Sequence, residues 1–171
     1  AAVNLGAGRT AIAVSCGWYH TCSILDNGEL KCWGSGGNGK LGYDSTNNKG
    51  AEAGSNGMAS LGAVDLGAGR TAVAVSAGAS HTCSILDNGD LKCWGQGGSG
   101  QLGYDTTDDL GNFPPEMASL GAVDLGAGRT AVAVSCGVQQ TCSVLDNGEL
   151  KCWGNNYNGQ LGYDSTDNKG D

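Results

Sequence analysis

Eight cysteines and two histidines are the residues of this 171-residue sequence best suited to covalent, redox or proton-transfer chemistry. Six of the cysteines fall into pairs ten residues apart: Cys22 with Cys32, Cys83 with Cys93, and Cys142 with Cys152. Cys16 and Cys136 stand outside the pairs. Two chemistries compete for such thiols, disulfide formation and metal binding. Structural zinc sites draw on ligand pairs two to four residues apart, whereas these cysteines are spaced by six and ten. Cys16, His20 and Cys22 lie close together, but where later sequence has His81 at the corresponding position, the third has Gln139-Gln140. A repeated zinc site would be broken there. A disulfide needs no histidine, and this many paired thiols points to an oxidising compartment, hence secretion or cell-surface display.

Oxygen ligands form a second group. Asp44, Ser45 and Asn47, then Asp105, Asp108 and Asp109, then Asp164 and Asp167 recur in acidic, hydroxyl-rich stretches ending in glycine. They suit a hard cation such as calcium, although their spacing is not that of the twelve-residue calcium loop; a solvated turn explains them equally. The same hydroxyls offer sites for O-linked sugar, and no Asn-x-Ser/Thr sequon occurs. Catalysis is not indicated, because neither histidine has a partner in a Ser-His-Asp or Cys-His order. The expectation for His20 and His81 is a structural one, capping or bridging backbone at the start of a strand. A formal net charge of −8, with nine basic residues and no basic patch, argues against nucleic acid. No apolar run is long enough to span a bilayer, and no basic-then-apolar leader opens the chain, so a secretion signal is expected upstream or removed.

What positions these residues is an internal repeat. Ala2 to Thr10 aligns with Ala63 to Thr71 and with Ala122 to Thr130, and the cysteine segments follow in register. The copies are expected at 1–62, 63–121 and 122–171, the last truncated in its final loop. Thirty-two glycines and 15% charged residues give a turn-rich, all-β composition. Within a copy the pattern predicts four short strands: Ala2 to Leu5; Thr10 to Ser15, whose small and β-branched residues suit burial on both faces; Thr21 to Leu25; and Glu29 to Trp33. The last two alternate, with Cys22, Ile24, Leu30 and Cys32 on one face and Thr21, Ser23, Glu29 and Lys31 on a half-exposed other.

The turn between them sets the cysteine register. Asp26-Asn27-Gly28 is a hairpin signal, since Asn and Gly tolerate left-handed backbone. A three-residue loop puts Leu25 opposite Glu29 and therefore Cys22 opposite Cys32; a two-residue loop would misalign them. Directly opposed β carbons lie about 4.5–5.5 Å apart, close enough for a local twist to close the bond. The same count pairs Cys83 with Cys93 and Cys142 with Cys152. Trp33, Trp94 and Trp153 recur once per copy, as residues that pack one copy on the next do.

The run from Ser15-Cys16-Gly17-Trp18-Tyr19-His20-Thr21-Cys22 through Leu30-Lys31-Cys32-Trp33-Gly34, followed by Asn38-Gly39-Lys40-Leu41-Gly42, resembles the repeat of the regulator of chromosome condensation family in its cysteine-bearing, secreted form. Gly100-Gln101-Leu102-Gly103 and Gly159-Gln160-Leu161-Gly162 match that family's Gly-Gln-Leu-Gly ending. The resemblance implies that each copy is one four-stranded blade of a β-propeller. Rings take roughly four to eight blades, so three are expected to be a segment of a larger ring or of an open array. Two functions fit. One is a non-catalytic extracellular structural component of a surface or filament, partnered by copies of itself or neighbouring repeats; the other is a soluble secreted module binding a protein or glycan through loops on one face.

Overall fold

The computed structural model describes residues 1–51 and 57–170. Its sheets follow directly from the repeat: β1 (Ala11–Cys16), β2 (His20–Leu25) and β3 (Leu30–Gly34), then β4 (Ala72–Ala77), β5 (His81–Leu86) and β6 (Leu91–Gly95), then β7 (Ala131–Cys136), β8 (Gln140–Leu145) and β9 (Leu150–Gly154). Each triplet forms one antiparallel meander, here called a blade. At the β2–β3 turn, Leu25 N donates to Glu29 O and Gly28 N to Leu25 O, with Gly28 at φ 80°. Cys22 therefore faces Cys32, and the same register brings Cys83 to Cys93 and Cys142 to Cys152.

The turn glycines offer a graded test. Gly148 sits at φ 84° with open space around its α carbon, whereas a β carbon on Gly89, at φ 83°, would come 2.7 Å from Thr130 Cβ of the next blade. Gly148→Ala is expected to cost about 1–2 kcal/mol, the left-handed penalty alone, and Gly89→Ala clearly more. Urea midpoints of the two variants check this; equal losses would sink it.

The expected fourth strand is absent, and the reason lies at the outer edge of the third. There Cys32 N donates to the Tyr43 hydroxyl, Gly34 exchanges two backbone bonds with Lys49, and Leu30 O accepts from Val64 N at 2.8 Å. A tyrosine, a loop residue and one residue of the following copy thus share the work a strand would do. The segments at the heads of the second and third copies, predicted to be those copies' first strands, instead close the sheet of the copy before; Val123 N donates to Leu91 O in the same way.

Successive blades pack face to face. One core joins Cys22, Ile24, Leu30 and Leu41 of the first blade to Leu66, Ala72 and Trp94 of the second, and another joins Cys83, Ile85 and Leu91 to Leu125, Ala131 and Trp153. Ser23 and Lys31, expected half exposed, are buried even on the face of blade one that no described blade covers. Ser23 Oγ donates to Ala13 O, and Lys31 Nζ to Leu5 O. The strand expected to be interior is the reverse: β1, β4 and β7 are edge strands, and Ile12, Val73 and Val132 are each more than half exposed. Apolar continuity there reflects small residues at the inter-blade contact alternating with open positions. Among the described residues no helix is long and apolar enough to cross a membrane.

Candidate inter-blade assembly site

The most concentrated polar chemistry of the molecule lies between blades. His20 Nε2 is 2.9 Å from the Thr82 hydroxyl of the second blade, and Thr82 donates at 2.8 Å to Lys40 O of the first. Trp94 Nε1 donates to the same carbonyl at 3.1 Å. The second junction repeats the set: His81 Nε2 lies 2.9 Å from Thr141 Oγ1, which donates to Gln101 O, and Trp153 Nε1 donates there too. Because each threonine spends its one proton on the carbonyl, each histidine must donate from Nε2, leaving Nδ1 as a bare acceptor. Those Nδ1 atoms are buried and have no hydrogen-bond partner among the described residues. Desolvation, with Lys40 near His20 and His20 near His81, pulls both imidazoles down to about 4. The histidines thus bridge to a side chain of the next blade, where backbone at their own strand was expected. Edge-strand contacts complete the junctions, with Ala77 N donating to Ser15 Oγ and Cys136 N to Ser76 Oγ.

The other residues singled out by sequence are placed as follows. Disulfides join Cys22 to Cys32, Cys83 to Cys93 and Cys142 to Cys152, with Cα separations of 4.0, 4.1 and 4.1 Å. Cys16 is an exposed thiol and Cys136 a half-buried one. Trp94 and Trp153 fill the two junctions, while Trp33, on the face that no described blade covers, is only half buried. The acidic loops do not converge. Asp44 Oδ1 accepts from Met117 N, Asp109 from Gly97 N and Asn38 Nδ2, Asp108 from Thr106 Oγ1, and Asp167 from Ser165 Oγ. Asp44, Asp105 and Asp164 hold left-handed backbone, at φ 51°, 54° and 52°. Among the described residues the one group of three His, Cys, Asp or Glu side chains close enough to share an ion is His81, Cys83 and Cys136. The carboxylates of Asp44, Asp108, Asp109 and Asp167 accept hydrogen bonds that hold the loops.

Sequence reasoning missed Thr82, Thr141 and the Lys40 and Gln101 carbonyls. A signal existed, since Thr21, Thr82 and Thr141 each precede the first staple cysteine. What they touch lies some sixty residues away, and no spacing reports that.

Two faces remain open, and they match the two sides of a junction. On the third blade Leu150 is 62% exposed, whereas Leu30 and Leu91 are 0% exposed beneath the following blade. On the first blade Val3 is 53% exposed, against 5% for Val64 and 6% for Val123. Ala11, Val14 and Cys16 share that opening. The leading face of blade one and the trailing face of blade three thus carry residues equivalent to those buried at the two described junctions.

Stacked meanders joined by a conserved-geometry polar node define a β-propeller blade array. The chain belongs to the regulator of chromosome condensation (RCC1) repeat family, whose repeat profiles match residues 11–40, 72–101 and 131–160, and also 88–144. It is similar to the ultraviolet-B receptor UVR8 of Arabidopsis thaliana, 32% identical over 151 residues, covering 88% of this chain and 30% of the receptor. Human WBSCR16 shares the fold with a TM-score of 0.73 at 18% identity, over 95% of this chain and 39% of that one. Yeast RCC1 bound to Kap60 does so with a TM-score of 0.68 at 19% identity, over 91% and 34% respectively. A further yeast structure of the same fold concerns binding to Gsp1p and histones. The chain spans less than a third of the length of the ultraviolet-B receptor.

Proposed function

We propose that this chain acts without catalysis, as an assembly component of an extracellular surface or filament in which blades of one repeat dock face to face. The observation that carries the reading is the junction repeated between blades, a trailing face burying Leu30 or Leu91 and a leading face burying Val64 or Val123, with Leu150 and Val3 in the equivalent places on blades three and one. Three cystine staples support an oxidising, extracellular setting, and protein partners of the yeast relatives, Kap60, Gsp1p and histones, support work by protein contact. A heterologous contact of this kind closes into a ring when its rotation allows and otherwise extends into a fibre.

Sedimentation velocity over a range of concentrations tests this. The chain is expected to associate, and Leu150→Glu or Val3→Asp, each placing a charge on one half of the contact, is expected to shift it to monomer with its circular dichroism unchanged. Concentration-independent monomer, or association blind to both substitutions, would refute the reading. The second reading, a soluble module binding a protein or glycan, is favoured by Trp18 and Tyr19 in the β1–β2 loop, 64% and 74% exposed. Electron microscopy separates the two: discrete particles unaffected by Leu150→Glu favour the binder, and extended fibres favour assembly.

A further inference from the structure

The junction between the second and third blades holds a group that the first junction lacks. Cys136, a free thiol on β7, lies across from the Cys83–Cys93 disulfide of β5 and β6. Cys136 Sγ, Cys83 Sγ and a ring nitrogen of His81 all lie within 4.8 Å of one another. Cys136 Sγ donates to Ser76 O at 3.4 Å, and Thr141 Oγ1 is 3.9 Å from Cys83 Sγ. The thiol is thus held by the blade that carries the disulfide, packed against the core of the contact. At the first junction the corresponding position is Ala77, 8% exposed against the Cys22–Cys32 staple.

We propose that Cys136 and the Cys83–Cys93 disulfide form a thiol–disulfide exchange site that converts a staple within blade two into a covalent lock between blades two and three. The Cys136 thiolate attacks Cys83 Sγ; the Cys83–Cys93 bond breaks as Cys83–Cys136 forms; Cys93 leaves as thiolate and takes up the proton that Cys136 lost. Electrons balance, and neither oxidant nor reductant is consumed. The product joins residues on different sheets, so it resists separation of the blades, which the original staple, spanning one hairpin, does not. Of the titratable groups facing the thiol, His81 is neutral at any pH well above 4, and Cys83 carries no proton in the disulfide. Burial pushes the Cys136 thiol up to about 11. Thiolate is therefore scarce at neutral pH, and its share rises about tenfold per pH unit up to that range, so exchange is slow at neutrality and quickens in alkali.

The full chain carrying Cys16→Ser, which removes the exposed thiol and with it exchange between molecules, is incubated at pH 7, 8 and 9 without reductant or oxidant. It is then quenched in acid, unfolded, alkylated and digested with trypsin. Cleavage at Lys92 and Arg129 places Cys83, Cys93 and Cys136 on three different peptides, and because Cys142 shares the Cys136 peptide, mass-spectrometric fragmentation of the linked peptides assigns each bond. The expected result is a Cys83–Cys136 link with alkylated Cys93, appearing about ten times faster per pH unit and at a rate independent of protein concentration. Cys136 as the one alkylated cysteine of the three at every pH would overturn the proposal. Cys136→Ser must abolish the new link. Adding Ala77→Cys to that variant rebuilds the geometry at the first junction, and Cys32 must then become alkylated; failure there overturns the geometric argument.

Discussion

Replacing Trp94 by alanine is expected to lower the unfolding free energy by about 3–5 kcal/mol, the cost of deleting a large aromatic from a packed core. Trp94 is 0% exposed, its indole N–H donates to Lys40 O, and its ring lies over Gly42 and Val64. The alanine leaves a cavity between two blades and strips one donor from a buried carbonyl. The same substitution at Trp153, 6% exposed with an equivalent bond to Gln101 O, is expected to approach that loss. At Trp33, half buried on the uncovered leading face, it is expected to fall well below it. Urea unfolding followed by far-ultraviolet circular dichroism, with the disulfides intact, measures all three. Equal losses would show that the indoles stabilise their own sheets and not the contact between blades.

Acidification is expected to destabilise the chain between about pH 6.5 and 4. His20 and His81 each titrate near 4 in the folded protein and near 6.5 when unfolded. The unfolded chain binds these protons first, so stability is full above the higher value, falls as pH drops through the window, and levels off below the lower one. A displacement of this size corresponds to about 3 kcal/mol per histidine. The cost has a structural source: protonation puts a positive charge and a second N–H at a buried Nδ1 that meets no acceptor among the described residues. Asp26, held below the usual carboxylate range first by the Thr10 N–H and also by Arg9, loses its contribution only under more acidic conditions. The third blade supplies the control, since Gln140 occupies the histidine position there. His81→Gln is expected to remove about half the slope of unfolding free energy against pH. Unchanged slopes in both His20→Gln and His81→Gln would show that other groups set the acid limit.

The two effects share an origin. Within a blade the staple and the two ladders of the meander form between residues of one copy. Between blades, an indole and a hydroxyl converge on one carbonyl and an imidazole donates to that hydroxyl, so a loss at any of them leaves buried polar groups unsatisfied. The Arg9–Asp26, Arg70–Asp87 and Arg129–Asp146 pairs, 3.3–3.4 Å apart and roughly 40% exposed, contribute far less.

The repeat, the all-β class and the cysteine pairing were legible because each depends on residues near one another in the chain. Asp26-Asn27-Gly28 fixes a three-residue turn through the backbone freedom of one glycine, and that turn alone decides which residue Cys22 faces. The number of strands was not legible. Ala2 to Leu5 has strand-like composition, yet a tyrosine hydroxyl and a single residue of the next copy satisfy the edge it would have paired with. Composition records what a segment can do, not whether the partner edge is still free.

Burial was misjudged for the same reason. Alternation in β2 and β3 suggested one wet face, but Ser23 and Lys31 are buried by their own copy, with the Ala13 and Leu5 carbonyls as acceptors. The acidic loops read as cation ligands by type, and nothing in their spacing signals that the Asp44 carboxylate accepts from Met117 N, 73 residues away. His20 and His81 offered no sign of a partner, because the Thr82 and Thr141 hydroxyls arrive from the next copy.

By itself, then, the sequence determined three stapled hairpins of one family, since turn chemistry and strand register act over ten residues or so. Only the tertiary structure decided that Cys136, left without a partner by the pairing, sits against the disulfide of another blade. That juxtaposition follows from the stacking of sheets, whose contacts join residues about sixty apart and depend on which face each blade turns to its neighbour.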